Sequence, residues 1–425
     1  MVAFTSPSFA GALLVSAATL LLSATTALAG AGFTGKKVVS AYYPSYQMAP
    51  ADVPYHLYTH LDYFVMTTTP DPAVISTAGI SDSQIVDFVT RAHAAGITTS
   101  YTVGGWTGSR YFSTHVSTAA GRTTFARTLV AVMQQYGFDG IDIDWEYPGV
   151  QGEGSNIVSP DDTANFLLFV QTLRSIAGPD VRLAMAVSVG GMYGADGQRV
   201  TDLSGFAAVM DYVTIMSYDI TGTWSGYTGP NAPLTSKCQP ANNPYSITYA
   251  MSLFNSFGFG SNHLLIGFPA YSYSYYVSLP FTQTTCSDGT TSTLYNYGTS
   301  GSTCGNMLGF GGTYLYKDLV ANGWFKSASR FRRILDKNSQ TWVLYNPITQ
   351  LFVPTEAPGT AYAKARFAVQ RRAAGINMFD ASGDTADGAL VSALRIGLGL
   401  DRGSLPVLRK RHLEEKQRRK RSEIH

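Results

Sequence analysis

The chain has 425 residues, of which 45% are hydrophobic, so it is long enough to bury a large core. Its formal net charge of +2 is unevenly distributed, because Leu408 to His425 hold eight Lys or Arg residues and three Glu residues. The remainder holds 22 basic and 25 acidic residues, which argues against a nucleic-acid-binding protein. We expect residues 401–425 to form a basic, disordered tail, with an anchor to a polyanionic wall or membrane as the alternative.

Residues 1–29 are typical of a secretory signal peptide. An apolar run from Phe9 to Leu28 ends in Ala27-Leu28-Ala29, a small-x-small cleavage pattern, although no basic residue precedes Lys36. The run is also about long enough to span a membrane, so a retained anchor is the alternative. We expect cleavage, secretion to the medium or the cell wall, and no stable membrane insertion. Secretion permits disulfides, and three cysteines allow one bridge whose pair the sequence does not choose: Cys238, Cys286 and Cys304.

Short apolar runs bounded by turn residues predict eight β-strands. In chain order they are Val38–Tyr43, Leu61–Met66, Ile97–Val103, the run within Phe138–Gly149, Val181–Val189, Asp211–Tyr218, Leu264–Phe268 and Gly375–Phe379. Helical periodicity is found between or after them at Ser81–Ala95, Thr123–Tyr136, Thr163–Ile176, Ile247–Phe257, Ala361–Ala373 and Ala389–Ile396. The alternation predicts a parallel sheet, and eight units predict an α/β protein with a closed (β/α)8 barrel over residues 33–400. A doubly wound sheet with an extra domain is the structural alternative.

One long gap separates the seventh and eighth predicted strands. Residues 271–345 are rich in Tyr, Gly, Ser and Thr, and no βα unit of normal length fills them. We therefore expect an insertion within the barrel at this point.

The fourth strand carries a row of acids. Asp142, Asp144 and Glu146 alternate with Ile143 and Trp145, so in an extended strand the acids share one face and the apolar residues share the other. A strand buried on both sides tolerates acids only when they are hydrogen-bonded, share protons or are needed for function. The C-terminal ends of barrel strands hold the active site in this architecture. A surface strand with a charged face is the alternative.

This stretch, DGIDIDWE, fits without a mismatch the DxxDxDxE signature of glycoside hydrolase family 18, the chitinase family. Asp139, Asp142, Asp144 and Glu146 occupy the signature positions. Further strand ends resemble family motifs in the right order: Tyr42, Thr102–Trp106 (SxGG with Thr for Ser), Met216–Asp219 (MxYD) and Gly375–Asp384. The resemblance covers Val38 to Leu398, is closest to fungal members, and extends to the insertion, which resembles the small α+β subdomain of many members.

The resemblance implies substrate-assisted catalysis with retention of configuration, the route by which this family departs from the usual two-carboxylate scheme. Glu146 protonates the glycosidic oxygen, and the substrate's 2-acetamido carbonyl attacks the anomeric carbon. Asp144 orients the acetamido group, Asp142 shares a proton with Asp144, and Tyr218 donates a hydrogen bond to the acetamido oxygen. Because three neighbouring acids cannot all ionise cheaply, their titration should be coupled.

The predicted substrate-binding residues also follow from the resemblance: Tyr42, Thr102, Trp106, Tyr147, Met216, Asp219 and Phe379. The alternative for Trp106 and Tyr147 is that both are buried core residues. Thr102 would alternatively be an ordinary β-branched strand residue, and Asp219 would alternatively cap the following helix. Phe379 stands where the family usually has Trp, which implies a smaller floor under the reacting sugar. Trp224 is a weaker candidate, and no metal site or cofactor is expected.

The sequence thus predicts a secreted, monomeric chitinase that cleaves β-1,4-linked N-acetylglucosamine chains in chitin or its oligosaccharides. A chitin-binding lectin on the same fold is the first alternative. The presence of Asp142, Asp144, Glu146 and Tyr218 favours the enzyme, because lectin-type members usually lose the acid or its partner. An endo-β-N-acetylglucosaminidase that acts on N-glycans is the second alternative.

Overall fold

Eight parallel strands form a closed barrel in the computed structural model of the chain, which describes residues 36–278, 284–286, 289, 291–292 and 307–401. Barrel strands one to eight are Val38–Pro44, His60–Thr68, Thr98–Gly104, Gly140–Asp144, Arg182–Ser188, Tyr212–Met216, Leu264–Pro269 and Gly375–Phe379. Strand one pairs in parallel with both strand two and strand eight, which closes the sheet. The predicted α/β class and (β/α)8 barrel are confirmed, and the doubly wound alternative, which would leave open sheet edges, is excluded.

Helices surround the barrel and cover the outward residues of its strands. In the described residues they are Asp82–Ala94, Phe112–Val116, Ala119–Tyr136, Asp162–Ala177, Ser204–Ala207, Ile247–Ser256, Tyr316–Ala321, Pro358–Gln370 and Ala389–Leu398. The helix predicted from Thr123 begins earlier, at Ala119, because the Thr118 side chain accepts a hydrogen bond of 3.0 Å from the Gly121 N–H and caps it. Across the described residues, no helix combines the length and apolar character that a membrane crossing needs.

The main core lies between strands and helices. The apolar side of the fourth strand is buried in this core and consists of Ile141, Ile143 and Trp145. The Trp145 ring packs against Phe166 of a covering helix, with ring centroids 5.4 Å apart. The acids on the alternate positions therefore point into the barrel, as the period of two requires.

The predicted insertion is present between strands seven and eight. It contains a five-stranded antiparallel sheet and a helix, and its strands are Tyr271–Val277, Met307–Leu315, Arg332–Asp336, Thr341–Asn346 and Leu351–Thr355. The predicted insertion ended at residue 345, but the sheet continues beyond it. The strand Leu351–Thr355 pairs with both Thr341–Asn346 and Tyr271–Val277 and so belongs to the insertion. A disulfide joins Cys238 to Cys286 of the insertion. The predicted signal peptide, Cys304 and residues 402–425 lie outside the described residues.

Candidate active site

A groove with a volume of about 620 Å³ opens at the C-terminal ends of the barrel strands. Strands and loops from around the barrel contribute its wall, and the insertion contributes Tyr271. Eight of the predicted site residues line it: Asp144, Glu146, Trp106, Tyr147, Met216, Tyr218, Asp219 and Phe379. Phe64, Tyr46 and Ser188 are among the other lining residues. The fold thus brings side chains far apart in sequence to one face of the molecule.

The acid row rises from the barrel interior into this groove. Asp142 and Asp144 are buried at 1% and 4% exposure, whereas Glu146, just beyond the strand, is half-buried. The Thr102 hydroxyl donates a hydrogen bond of 2.9 Å to Asp142 from the neighbouring strand. Gly104 allows the close approach of the two strands, because a Cβ on its positive-φ backbone would lie 2.0 Å from the Asp144 carbonyl oxygen.

Two buried side chains fix the backbone that carries Glu146. Ser109 Oγ accepts a hydrogen bond of 3.0 Å from the Glu146 N–H and donates to the Asp144 carbonyl at 3.0 Å. Asn156 donates to the Glu146 carbonyl at 2.9 Å. Because both partners are buried, these bonds hold the direction in which the Glu146 carboxyl enters the groove.

The three acids hold their protons more tightly than free carboxyls. Burial, followed by the charge of Asp62, raises the pKa of Asp142 to about 8, and the bond from Thr102 opposes the shift. Burial and the charges of Glu146 and Asp142 raise the pKa of Asp144 well above its usual range. Burial also raises the pKa of Glu146 to about 7, with a contribution from Asp219 and opposition from a hydrogen bond with Tyr147. A carboxyl group with this pKa can act as a general acid near neutral pH.

Tyr218 and Asp219 follow the sixth strand. Tyr218 is buried beside the acids, and a Cβ on Gly267 would lie 2.8 Å from its ring, so the glycine makes room for it. The Asp219 backbone is left-handed, at φ 57°, and its N–H donates a bond of 2.7 Å to Asn231. No helix cap is formed here. Instead, the Asp219 carboxylate accepts hydrogen bonds from the hydroxyls of Tyr271 and Tyr273, on the insertion's first strand.

Phe379 lies at the centre of an aromatic floor. Its ring centroid is 5.6 Å from that of Tyr42, 5.4 Å from Phe64, 5.7 Å from Tyr218 and 6.1 Å from Tyr271. The half-buried Phe379 ring also faces the groove. The floor predicted from the resemblance therefore has a phenyl ring at its centre, without an indole N–H.

Tyr42 and Thr102, predicted among the substrate-binding residues, are not part of the groove wall. Both are buried, and Thr102 pairs with Asp142 at the level below the Gly104–Asp144 pair that reaches the groove. Both lie close to the acid row. Burial, followed by the charges of Asp142 and Asp144, raises the pKa of the Tyr42 hydroxyl well above its usual range.

The rim carries the exposed aromatic residues. Trp106 is 51% exposed and lies edge-on to Tyr147, with ring centroids 6.5 Å apart, so neither is a core residue. Trp224 is 61% exposed and contacts Tyr273 at 5.5 Å, outside the groove wall. Flat aromatic faces of this kind suit the C–H faces of sugar rings.

Several site residues escaped the sequence analysis. Ser109, Asn156 and Asn231 lie in loops, and nothing in their local pattern separates them from ordinary loop residues. The signature residue Asp139, by contrast, lies at the far end of the strand, where it accepts a bond of 2.8 Å from the Thr99 N–H. Among the residues that the structure describes, no group of three or more His, Cys, Asp or Glu side chains could hold a metal ion.

Comparison with known proteins identifies a family and several relatives. The profile described as "Glycosyl hydrolases family 18" matches residues 38–384. A "chitinase-like effector" of Moniliophthora roreri is 33% identical over 402 residues, 89% of this chain and 97% of the relative, and "Chitinase 1" of Aphanocladium album is 30% identical over 246 residues, 53% of this chain and 57% of the relative. The crystal structure of a chitinase from Rhizomucor miehei superimposes with a TM-score of 0.74 at 25% identity, covering 85% of this chain and 100% of that one. The expected similarity to fungal members is confirmed.

Proposed function

The chain belongs to glycosyl hydrolase family 18, and on that premise we propose that it is a secreted, retaining chitinase that hydrolyses β-1,4 linkages between N-acetylglucosamine units. The observation that carries the proposal is the environment of Glu146. This carboxyl group faces the groove, its pKa is raised to about 7, and its backbone is fixed by two buried side chains. An oriented acid of this kind can protonate a glycosidic oxygen near neutral pH.

The neighbouring residues fit the remaining steps. In the proposed reaction the substrate's acetamido oxygen attacks the anomeric carbon as the glycosidic bond breaks and Glu146 gives its proton to the leaving oxygen. Asp144, buried beside Glu146, accepts the acetamido N–H and stabilises the cationic oxazolinium intermediate, while the Tyr218 hydroxyl donates to the acetamido oxygen. Water then attacks the anomeric carbon and Glu146 takes its proton, while the bond from that carbon to the acetamido oxygen breaks and the acetamido group is restored. Two inversions thus leave the configuration retained.

The shape of the groove supports a linear oligosaccharide as the ligand. From Phe379 a series of ring contacts leads outward through Tyr271 and Tyr273 to Trp224, with centroid separations of 6.1, 5.7 and 5.5 Å. Trp106 and Tyr147 stand at another part of the rim. Because sugar units of a β-1,4 chain present apolar faces at regular intervals, an extended aromatic surface favours a polymer over a single residue.

The disulfide between Cys238 and Cys286 supports the proposed secretion, because such bonds persist in oxidising compartments. We propose that the signal-like residues 1–29 direct the chain there and that it acts as a monomer on chitin or soluble oligosaccharides.

The decisive experiment measures hydrolysis of N-acetylglucosamine oligomers by the secreted protein and by Glu146→Gln. We expect products from the parent alone, with the β-anomer formed first in NMR spectra. We also expect the Glu146→Gln variant to keep its melting temperature and to bind chitin beads. Substantial hydrolysis by this variant would remove Glu146 from its role, and α-anomers as first products would exclude retention.

A second candidate function is chitin binding without turnover. Phe379 favours it, since a phenyl ring at the centre of the floor stacks less well than an indole on a distorted sugar. A relative that this chain matches over 97% of the relative's length is also named a chitinase-like effector. A parent protein that binds chitin beads but releases no product from chitin oligomers or N-glycans would establish this function in place of hydrolysis.

A further inference from the structure

The insertion has a second exposed surface, on the side of its sheet that faces away from the groove. Tyr271 and Tyr273 lie on the groove side of the first strand, where their hydroxyls bind Asp219. The register of the paired strands places Leu344 and Arg333 on the opposite side. A ligand bound at that side therefore contacts residues that take no part in the proposed hydrolysis.

Half-buried aromatic rings form the base of this surface. The Trp324 ring stacks on Phe331, with ring centroids 4.3 Å apart, and its centroid lies 5.0 Å from that of Tyr314. All three rings pack on an apolar cluster that includes Leu344. The segment that follows the helix Tyr316–Ala321 is thus anchored to the sheet, and it presents its charged side chains from a rigid base.

Three exposed basic side chains stand around the aromatic base: Lys326, Arg330 and Arg333. A Cβ on Gly323 would lie 3.2 Å from Lys326 Cδ, so the Lys326 stem lies against the turn before Trp324. The Arg333 guanidinium donates a hydrogen bond to the Phe325 carbonyl, which holds it beside the same turn. Arg330 immediately precedes the stacked phenyl ring, so three positive charges share one small area.

Positive charge is concentrated in this part of the chain. Residues 316–337 hold six basic and two acidic residues, whereas the rest of the chain before residue 408 holds 16 basic and 23 acidic residues. One of the two acids, Asp336, is buried and accepts hydrogen bonds of 2.8 Å from the hydroxyls of Ser292 and Ser339. It therefore does little to offset the cations at the surface.

Protection of a sheet edge explains only part of this charge. The strand Arg332–Asp336 lies at one edge of the five-stranded sheet, and basic side chains on edge strands commonly prevent pairing with another chain. Lys326 and Arg330, however, come from the segment before the strand. Their position around the aromatic base indicates a binding surface in addition to a protected edge.

The basic surface consists of five residues: Trp324, Lys326, Arg330, Phe331 and Arg333. We propose that it binds an acidic polysaccharide, a polymer whose sugar units carry carboxylates. Guanidinium groups match the geometry of carboxylates with paired N–H donors. The choice of a polysaccharide over a nucleic acid rests on the proposed secretion, whereas the charge and the place of the surface do not.

This binding would hold the protein on an acidic matrix while the groove stays open. The edge strand Arg332–Asp336 is separated from Tyr271–Val277, the strand nearest the groove, by two further strands. Three strand spacings amount to roughly 14 Å. The two surfaces also lie on opposite sides of the sheet, so a polymer at one leaves the other accessible.

The test measures the dissociation constant of the full chain for immobilised polygalacturonate, a polymer of uronic acid, at low and at physiological salt. We expect Arg330→Gln with Arg333→Gln to weaken binding about tenfold, since exposed ion pairs contribute about two- to fivefold each, and to flatten the dependence on salt. The matched control is Arg127→Gln with Arg366→Gln, which removes two exposed arginines from barrel helices. It has the same net charge, and we expect binding within about twofold of the parent. All variants keep the basic residues after position 408, so any contribution of these residues is common to them.

Several outcomes would overturn the inference. A parent that does not bind polygalacturonate would reject it, and so would equal affinities of the parent and the Arg330 and Arg333 variant. Equal weakening in this variant and in the control would mean that net charge alone attracts the polymer. Tighter binding to single-stranded DNA or to phosphatidylserine vesicles at the same concentration of negative charge would reject a polysaccharide as the ligand.

Folding and hydrolysis are tested separately from this binding. If the first variant has a lower melting temperature, Lys326→Gln with Arg330→Gln, which leaves the bond from Arg333 to Phe325 in place, should also weaken binding, and unchanged binding would reject the surface. Hydrolysis of a neutral chito-oligosaccharide should be the same in all variants. Binding without hydrolysis by the parent would reject the chitinase proposal alone, and hydrolysis without binding would reject this inference alone.

Discussion

The hydroxyl of Tyr273 lies 2.8 Å from Oδ1 of Asp219 and donates a hydrogen bond to it, so the insertion binds directly to a residue of the groove. Tyr271, two residues earlier on the same strand, donates to the same oxygen. Asn231 completes the connection, since it accepts from the Asp219 N–H and donates to the Tyr271 carbonyl at 3.2 Å. The insertion therefore holds the Asp219 side chain in place, in addition to forming part of the groove wall.

Replacement of Asp219 by Asn should move the alkaline limb of kcat/KM to lower pH. The charge of Asp219 raises the pKa of Glu146, so its removal lets Glu146 lose its proton earlier. We expect a shift of roughly half a pH unit, because the open groove lets water screen the charge. Tyr273→Phe is the matched control, since it removes one hydrogen bond and keeps the charge. Equal shifts in the two variants would contradict this explanation.

The parent enzyme should lose activity as the pH rises through about 7. Glu146 must be protonated to act as an acid, and its pKa is raised to about 7 by burial, followed by the repulsion from Asp219. A profile of kcat/KM against pH for a soluble oligomer measures this directly. Full activity retained at pH 9 would mean that Glu146 is not the group whose ionisation limits the reaction.

A buried ion pair should dominate the local stability where the insertion returns to the barrel. Lys364 is fully buried, pairs with Glu356, and donates to the Ala232 carbonyl at 2.6 Å. Lys364→Met leaves the buried Glu356 charge without a cation, with only the Thr360 hydroxyl still donating to it, so we expect the free energy of unfolding to fall by about 3–5 kcal/mol in urea titrations.

The exposed pair of Arg91 and Asp87 supplies the comparison, since it has the same charges in contact with water. Arg91→Met should change the urea midpoint far less, because water screens an exposed pair and solvates the carboxylate that remains. The double variant Lys364→Met with Glu356→Gln should recover part of the loss. A similar loss of unfolding free energy in the Arg91 and Lys364 variants would show that burial does not determine how much the removal of one partner destabilises the protein.

The barrel and the acid row could be predicted because both leave a regular imprint on the sequence. Inward and outward positions alternate along each strand, so Asp142, Asp144 and Ile143 reveal their faces from spacing alone. The same spacing places Asp62, an acid within the apolar second strand, on the inward face, but it does not show which side chains surround it. His60 is two residues away and Asn377 lies on the last strand, so only barrel closure shows that the three meet.

The remaining site residues depend on contacts that have no local pattern. Ser109 and Asn156 bind the backbone of Glu146 from two different loops. The positions of Tyr42 and Thr102 in their motifs are visible in the sequence, but strand spacing does not tell how deep each residue lies below the groove. Depth follows from the stagger of the strands around the barrel, which becomes known only with the register.

Replacement of Phe379 by Trp should strengthen the hold on the reacting sugar. The Phe379 ring is supported by Tyr42, Phe64, Tyr218 and Tyr271, and it faces the groove, so an indole can extend toward the ligand instead of into the core. A larger stacking surface is worth about 1 kcal/mol. When that contact is stronger in the distorted sugar than in the ground state, kcat/KM rises about fivefold.

Two measurements separate this effect from simple tightening of ground-state binding. The first is kcat of Phe379→Trp, which should rise along with kcat/KM when the ring acts on the distorted sugar. The second is the dissociation constant of a chito-oligosaccharide for Glu146→Gln with and without Phe379→Trp, which reports binding where no turnover occurs.

Phe379→Leu is the matched control, since it keeps an apolar floor without a ring and should lower kcat/KM. An unchanged rate in both Phe379 variants would mean that the sugar does not rest on this residue. A lower rate and a lower melting temperature for Phe379→Trp alone would mean that the four surrounding rings leave no room for an indole.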